Sequence, residues 1–187
     1  MRIIAGEFKG RRLQSPKDRA FRPTQDKVKE ALFSILGDRI KGQVFMDLCC
    51  GTGGIGLEAL SRGGGFVYFV DVDTASVHQN TAQIAPYFET PPFEIAQLPV
   101  LHFLRRTKAK ADFLFFDPPW DRHHYYGTLL KAMADFDILS DRGLAIFEHN
   151  KRLDLKAVLA DLETPFQLTH QYDYGNAILS FIQKKSP

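Results

Sequence analysis

Apolar positions along the chain switch repeatedly between short continuous runs and stretches with helical spacing. That alternation predicts a parallel sheet with helices on both faces. The run Val44 to Cys49, bounded by Gly42 and Gly51, reads as a buried strand. It leads through Gly51–Gly56 into a helix of about Ile55 to Ser61. A second strand, Phe66 to Asp71, precedes a helix from about Thr74 to Ala85, with Thr74 placed to cap it. Thr90-Pro91-Pro92 breaks the chain before a third strand near Phe93–Ala96, a short helix near Val100–Arg106 and the very apolar strand Asp112 to Phe116. Tyr125 to Phe136 has helical spacing, Gly143–Glu148 is strand-like and Leu153–Leu162 is helical. Phe166–Tyr172 and Ala177–Gln183, around Asp173-Tyr174-Gly175-Asn176, read as a closing β-hairpin. Ahead of this series, residues 1–14 read as a short hairpin turning near Lys9-Gly10. Thr24 is expected to cap a helix running to about Leu36, with Val28, Ala31, Leu32 and Ile35 on one face.

Length and composition narrow the class. The chain has 187 residues, enough for one core without disulfides or structural metals, and it is 44% hydrophobic and 25% charged. No apolar run approaches a membrane span and the first residues lack the apolar stretch of a signal peptide, so a cytoplasmic protein is expected. The two cysteines, Cys49 and Cys50, are adjacent in an apolar run and read as reduced core residues. The six histidines show no metal-ligand spacing, so no metal is expected. The net charge of +2 hides a division: residues 1–42 carry eleven basic and five acidic residues, a net of +6, and the remainder nets −4. A basic arm on a mildly acidic body suits a polyanion; a solvated basic face is the other reading.

Asp47-Leu48-Cys49-Cys50-Gly51-Thr52-Gly53-Gly54-Ile55-Gly56 places glycines at G-x-G-x-x-G spacing between a strand and a helix. There the backbone must turn sharply and lie against a ligand with no Cβ in the way. Twenty residues past Gly51, Asp71 ends a strand, where a carboxylate can accept both hydroxyls of a ribose. Asp47, four residues before the first glycine, favours the cationic amino-acid end of S-adenosylmethionine over a dinucleotide, because a carboxylate there would repel a pyrophosphate. The competing reading is that Asp47 only caps backbone amides.

At the carboxyl end of the fourth strand comes Asp117-Pro118-Pro119-Trp120. In an open α/β sheet this position lies beside the glycine loop. Prolines leave rigid carbonyls with no competing donors. One of these, with the Asp117 carboxylate, can accept both hydrogens of an exocyclic aromatic amine and aim its lone pair at a methyl sulfonium. Trp120 offers a stacking face for a base. His123, His124, Tyr125 and Tyr126 can line a base pocket or simply start a helix, and Glu148 ends a strand where it can face the cleft or anchor a loop.

The two motifs together resemble the class I S-adenosylmethionine-dependent methyltransferases that act on exocyclic amines of nucleobases. The N-terminal block narrows the likeness. Arg2-Ile3-Ile4-Ala5-Gly6, Gly10-Arg11, Leu13, Pro16, Arg22-Pro23-Thr24 and Lys27 through Phe33, followed by Gly56-Leu57-Glu58-Ala59-Leu60-Ser61-Arg62-Gly63, are similar to the bacterial 16S ribosomal RNA guanine-N2 methyltransferases of the RsmD type.

The resemblance implies a Rossmann-like, doubly wound seven-stranded α/β sheet with a C-terminal antiparallel hairpin and a small N-terminal hairpin and helix extension. It implies an S-adenosylmethionine site at Asp47, Cys49, Gly51, Thr52, Gly53, Asp71 and Val72, and catalysis at Asp117, Pro118, Pro119 and Trp120. Substrate contacts are expected at Arg2, Arg11, Arg12, Arg22 and Thr24, with Lys17 and Arg19 adding phosphate contacts. The expected organisation is a basic RNA-contacting extension, residues 1–42, on a methyltransferase domain, residues 43–187. Expected partners are 16S ribosomal RNA or a small-subunit assembly intermediate, met by a monomer. Four positions depart from the family pattern: Cys49-Cys50 replaces Phe-Ala, Asp71 stands where Glu is commoner, and Pro99 occupies roughly the place of an Asp or Asn beside the adenine. Methylation of adenine N6, an NAD-linked oxidoreductase and a non-catalytic ribosome-assembly factor are the alternatives.

Overall fold

The computed structural model describes residues 1–15, 23–119 and 123–185; Arg22, Trp120 and the side chain of Thr24 therefore lie outside the described residues, as do Pro16, Lys17 and Arg19. The chain runs α1 (Pro23–Leu36), β1 (Val44–Leu48), α2 (Gly54–Ser61), β2 (Phe66–Asp71), α3 (Ala75–Thr81), β3 (Phe93–Gln97), α4 (Val100–Arg106), β4 (Ala111–Phe116), α5 (His124–Asp135), β5 (Leu139–His149), α6 (Leu155–Ala160), β6 (Phe166–Tyr174) and β7 (Ala177–Lys184). The strands form one sheet in the order β3-β2-β1-β4-β5-β7-β6. The first five are parallel, and β7 and β6 join antiparallel. Strand order reverses between β1 and β4, which opens a crevice at their carboxyl ends. This is the expected seven-stranded α/β sheet with its closing hairpin.

Strand alternation divides the core into two layers. Phe45, Phe113, Phe115, Leu144 and Ile146 pack with Val28, Leu32, Phe33 and Leu36 of α1 and Leu57 of α2. Met46, Leu48, Leu114, Phe116 and Phe147 pack on the other face with Tyr126, Leu129, Leu130 and Met133 of α5. The N-terminal segment joins the first layer through Ile3, Phe8 and Leu13. Residues 1–14 form the expected short hairpin: the antiparallel bridge Arg2 to Arg12 is flanked by bonds from the Ile3 amide to the Arg11 carbonyl (3.0 Å) and from the Leu13 amide to the Met1 carbonyl (3.0 Å), and Gly6 and Gly10 in its turn region are left-handed. Helix α2 holds the tip of this hairpin. Glu58, fully buried, accepts hydrogen bonds from the amides of Ile4 (2.7 Å) and Ala5 (3.0 Å), while Ser61 takes those of Glu7 and Phe8.

Four expectations need correction. Helix α1 begins at Pro23, so Thr24 lies within its first turn rather than before it. Thr74 occupies the N-cap of α3 but its hydroxyl makes no cap bond; the Asp73 carboxylate accepts from the Ala75 amide instead (3.1 Å). That helix also stops at Thr81, where the expected pattern continued to Ala85. Strand β5 begins at Leu139, four residues before the expected start, because its polar stretch Ser140–Arg142 crosses an irregularity in the pairing with β4.

Candidate functional site

The carboxyl ends of β1, β2, β4 and β5 open into a cavity of about 1450 Å³. Cys49, Gly51, Thr52, Asp71, Val72, Asp117, Pro118 and Pro119, together with Asp47, all line it, so the two sequence motifs meet in one cleft. Gly53 lies in the same turn, directly before α2. The cleft follows from the glycine loop. Cys49, Gly51 and Gly53 have φ of +61°, +54° and +74°, so the chain turns away from β1 within five residues. Gly56 serves a separate purpose: a Cβ there would lie 2.3 Å from the Phe69 ring, so its absence lets α2 rest on β2.

Parity and register set a row of acids on the face covered by α1. Asp71 has the parity of Phe69, Asp47 that of Phe45, Asp117 that of Phe115 and Glu148 that of Ile146. Leu48 pairs with Val70 and with Phe116, and Phe116 pairs with Phe147. Asp71, Asp117 and Glu148 therefore each stand one residue past a common level, with Asp47 one pleat deeper. Neighbouring strands are about 4.8 Å apart, so the four acids cross the crevice in strand order.

Asp47 is nearly inaccessible, and its Oδ2 accepts the Gly56 amide (2.8 Å). Burial raises its pKa from 3.8 to about 7 against that bond, and the charges of Asp71 and Asp117 add to the rise. Asp47 thus does bond a backbone amide, while also lying on the cavity wall where a cation would relieve its desolvation. Asp71 accepts the Gly51 amide at Oδ2 (2.8 Å) and the Asp73 amide at Oδ1 (3.1 Å). Each oxygen retains a lone pair for a hydroxyl of a ligand. Val72, exposed, and Leu98, Pro99 and Leu101 form an apolar flank beside it. Burial pushes the Cys50 thiol up, with the charges of Asp47 and Asp71 adding to the rise, consistent with a packing role.

Among the expected substrate contacts, Arg2 and Arg12 are exposed and sit together at the bridge next to Met1, itself on the cavity wall. Arg11 is engaged by the protein: its guanidinium lies 4.5 Å from the Tyr87 ring centroid and donates to the Gln83 carbonyl (3.1 Å). Tyr125 lines the cavity, whereas Tyr126 is buried and its hydroxyl donates to the Glu148 carbonyl (2.8 Å).

Sequence reasoning passed over several cavity residues: Met1, Ser15, Asp26 and Lys29 from the N-terminal segment, and Asn176 from the β6–β7 turn. Lys29 is buried, donates to the Arg2 carbonyl (2.5 Å) and lies 3.7 Å from Glu58, and burial lowers its pKa. Asn80 was missed as well. Its amide donates to the carbonyls of Gln14 and Thr52 (2.9 Å each), joining the N-terminal segment to the glycine loop. No local spacing signals these contacts, since their partners are tens of residues away.

The family described as "Conserved hypothetical protein 95" matches residues 1–183. "Putative rRNA methyltransferase YlbH" of Bacillus subtilis is 29% identical over 188 residues, covering 99% of this chain and 100% of that protein. "Ribosomal RNA small subunit methyltransferase D" of Escherichia coli K12 is 30% identical over 161 residues, covering 86% of this chain and 80% of the relative. Among solved structures, "Putative methyltransferase yhhF" from Escherichia coli superposes with a TM-score of 0.81 at 24% identity, over 100% of this chain and 99% of that one.

Proposed function

The chain belongs to the Conserved hypothetical protein 95 family, which includes the ribosomal RNA small subunit methyltransferases D, and from that premise we propose that it methylates the exocyclic N2 amine of a guanine in 16S ribosomal RNA. The observation that carries the reading is the meeting of the glycine loop, Asp47 and Asp71 with Asp117-Pro118-Pro119 in one cleft at the point where strand order reverses.

The residues present fit S-adenosylmethionine. Asp71 can accept its ribose hydroxyls, Gly51 and Gly53 permit close approach, Cys49, Thr52 and Val72 border the same space, and Asp47 faces a cationic ligand. When bound, the cofactor supplies an electrophilic methyl group on a sulfonium sulfur. The Asp117 carboxylate and a carbonyl of the proline pair hold the two amine hydrogens, which turns the nitrogen lone pair outward for in-line attack. An amine that has taken up the methyl group would be cationic; Asp117 would stabilise that charge and accept the proton released. No covalent intermediate on the protein is required. Reaching an amine inside an RNA fold requires turning the base out of its stack, a cost of a few kcal/mol that pocket hydrogen bonds and stacking at Trp120 offset. The basic residues 1–42, with Arg2 and Arg12 exposed near the cavity and Arg22 and Thr24 nearby in sequence, serve as the RNA-contacting part of a monomeric cytoplasmic enzyme.

Two measurements test this. Calorimetric titration should show S-adenosylhomocysteine binding and no NADH binding; the reverse would identify an oxidoreductase. Asp117→Ala should lower turnover by about 100-fold or more while cofactor affinity changes little. Retention of most activity would remove Asp117 from its role.

A further inference from the structure

Of the four acids that cross the crevice, the proposed reaction uses three. Asp71 and Asp47 belong to the cofactor half and Asp117 to the amine, which leaves Glu148. It is half-buried, lines the cavity and lies one strand beyond Asp117 on the side away from the cofactor half. Asn176 and Ala177 line that same end. The backbone at Glu148 is anchored from three sides. Tyr126 donates to its carbonyl, Leu179 of β7 pairs with it, and the next side chain, His149, is fixed between the Asn150 carbonyl at Nδ1 (2.9 Å) and the Ser180 hydroxyl at Nε2 (2.7 Å). A carboxyl held on a rigid strand end, beside the group that grips the reacting amine, is placed to contact the base carrying that amine.

Resting on the guanine reading above, we propose that Glu148 reads the target base by accepting the N1–H of the guanine whose N2 amine is held at Asp117. N1 and N2 are bonded to one ring carbon and present N–H donors on the same edge, so acceptors on neighbouring strands match them. Adenine offers a lone pair at N1, which a carboxylate repels and leaves without a partner. A site built to accept a hydrogen bond rejects the analogue that lacks the donor. Glu148 therefore selects guanine over adenine by binding alone and takes no part in bond making.

The test uses RNA with 2-aminopurine at the methylated position, which keeps the N2 amine but has a lone pair at N1. The wild-type protein should favour guanine by about tenfold or more in kcat/KM. Glu148→Gln is nearly isosteric and its carboxamide can donate to that lone pair. It should bring the preference within about threefold while S-adenosylhomocysteine affinity and Tm stay at wild-type values. A preference unchanged by Glu148→Gln, with guanine still methylated, overturns the role of Glu148 alone. Methyl groups found on adenine with the wild-type protein overturn the guanine reading beneath it.

Discussion

Asp47 is a carboxyl group in the wrong solvent. Its ordinary pKa of 3.8 applies to the unfolded chain, and in the fold burial moves it to about 7. Between those values the folded chain holds a proton that the unfolded chain has lost, so the ligand-free protein should lose stability as pH rises from about 4 to about 7. The size is about 1.4 kcal/mol per pH unit at most. Urea titrations of the wild type and Asp47→Asn check this, because the variant should lack that part of the slope. A cationic ligand beside Asp47 favours the carboxylate. Cofactor binding should therefore release up to one proton below about pH 7 and tighten as pH rises through that value. Calorimetry in buffers of different ionisation enthalpy measures that release, and Asp47→Asn should abolish it. At this scale Asp71, the Asp117-Pro118-Pro119 run and Asp47, one residue before the end of its strand, were legible because chemistry restricts what can stand near the carboxyl ends of these strands. Glu58 and Asn80 were not, because their partners lie 54 and 66 residues away along the chain.

Elements were readable where glycine or proline bounds an apolar run. Helix α4 and strand β2 have the expected ends. The polar first residues of β5 carry no alternation, so the pattern starts that strand late, and apolar spacing continues past the hydrogen-bonded end of α3, so the pattern extends that helix. In the N-terminal hairpin tertiary contacts complete a local pattern: the two arms bond each other, and α2 supplies acceptors for the amides of Ile4, Ala5, Glu7 and Phe8 between them. Glu58→Gln keeps the shape but leaves buried Lys29 without its anion and weakens the bonds to Ile4 and Ala5. A loss of about 3–5 kcal/mol is expected in urea unfolding, as for other broken buried pairs. Gly56→Ala forces α2 off the Phe69 ring. It should cost about 1–3 kcal/mol, read as a lowered Tm.

At the scale of the whole molecule, a seven-stranded sheet opens a cavity at the carboxyl ends of its parallel strands, and charge is unevenly divided along the chain. Among the described residues no helix is long and apolar enough to cross a membrane. The +6 of residues 1–42 was visible in composition, but the structure divides it: Arg2 and Arg12 are exposed, Lys29 is buried, and Arg11 is stacked on Tyr87. Among the described residues, the proposed RNA contact thus draws on fewer side chains than the count suggests. RNA affinity should fall steeply between low and moderate salt, with a slope that Arg2→Ala and Arg12→Ala each reduce by about one unit; a flat salt response would remove the N-terminal segment from RNA binding. The most direct test of the proposed activity incubates isotopically labelled S-adenosylmethionine and the protein with immature small ribosomal subunits and with their naked RNA, followed by nuclease digestion and mass spectrometry. The proposed activity predicts label on N2-methylguanine. Cofactor binding with no label on any nucleotide, or label on N6-methyladenine, would contradict it.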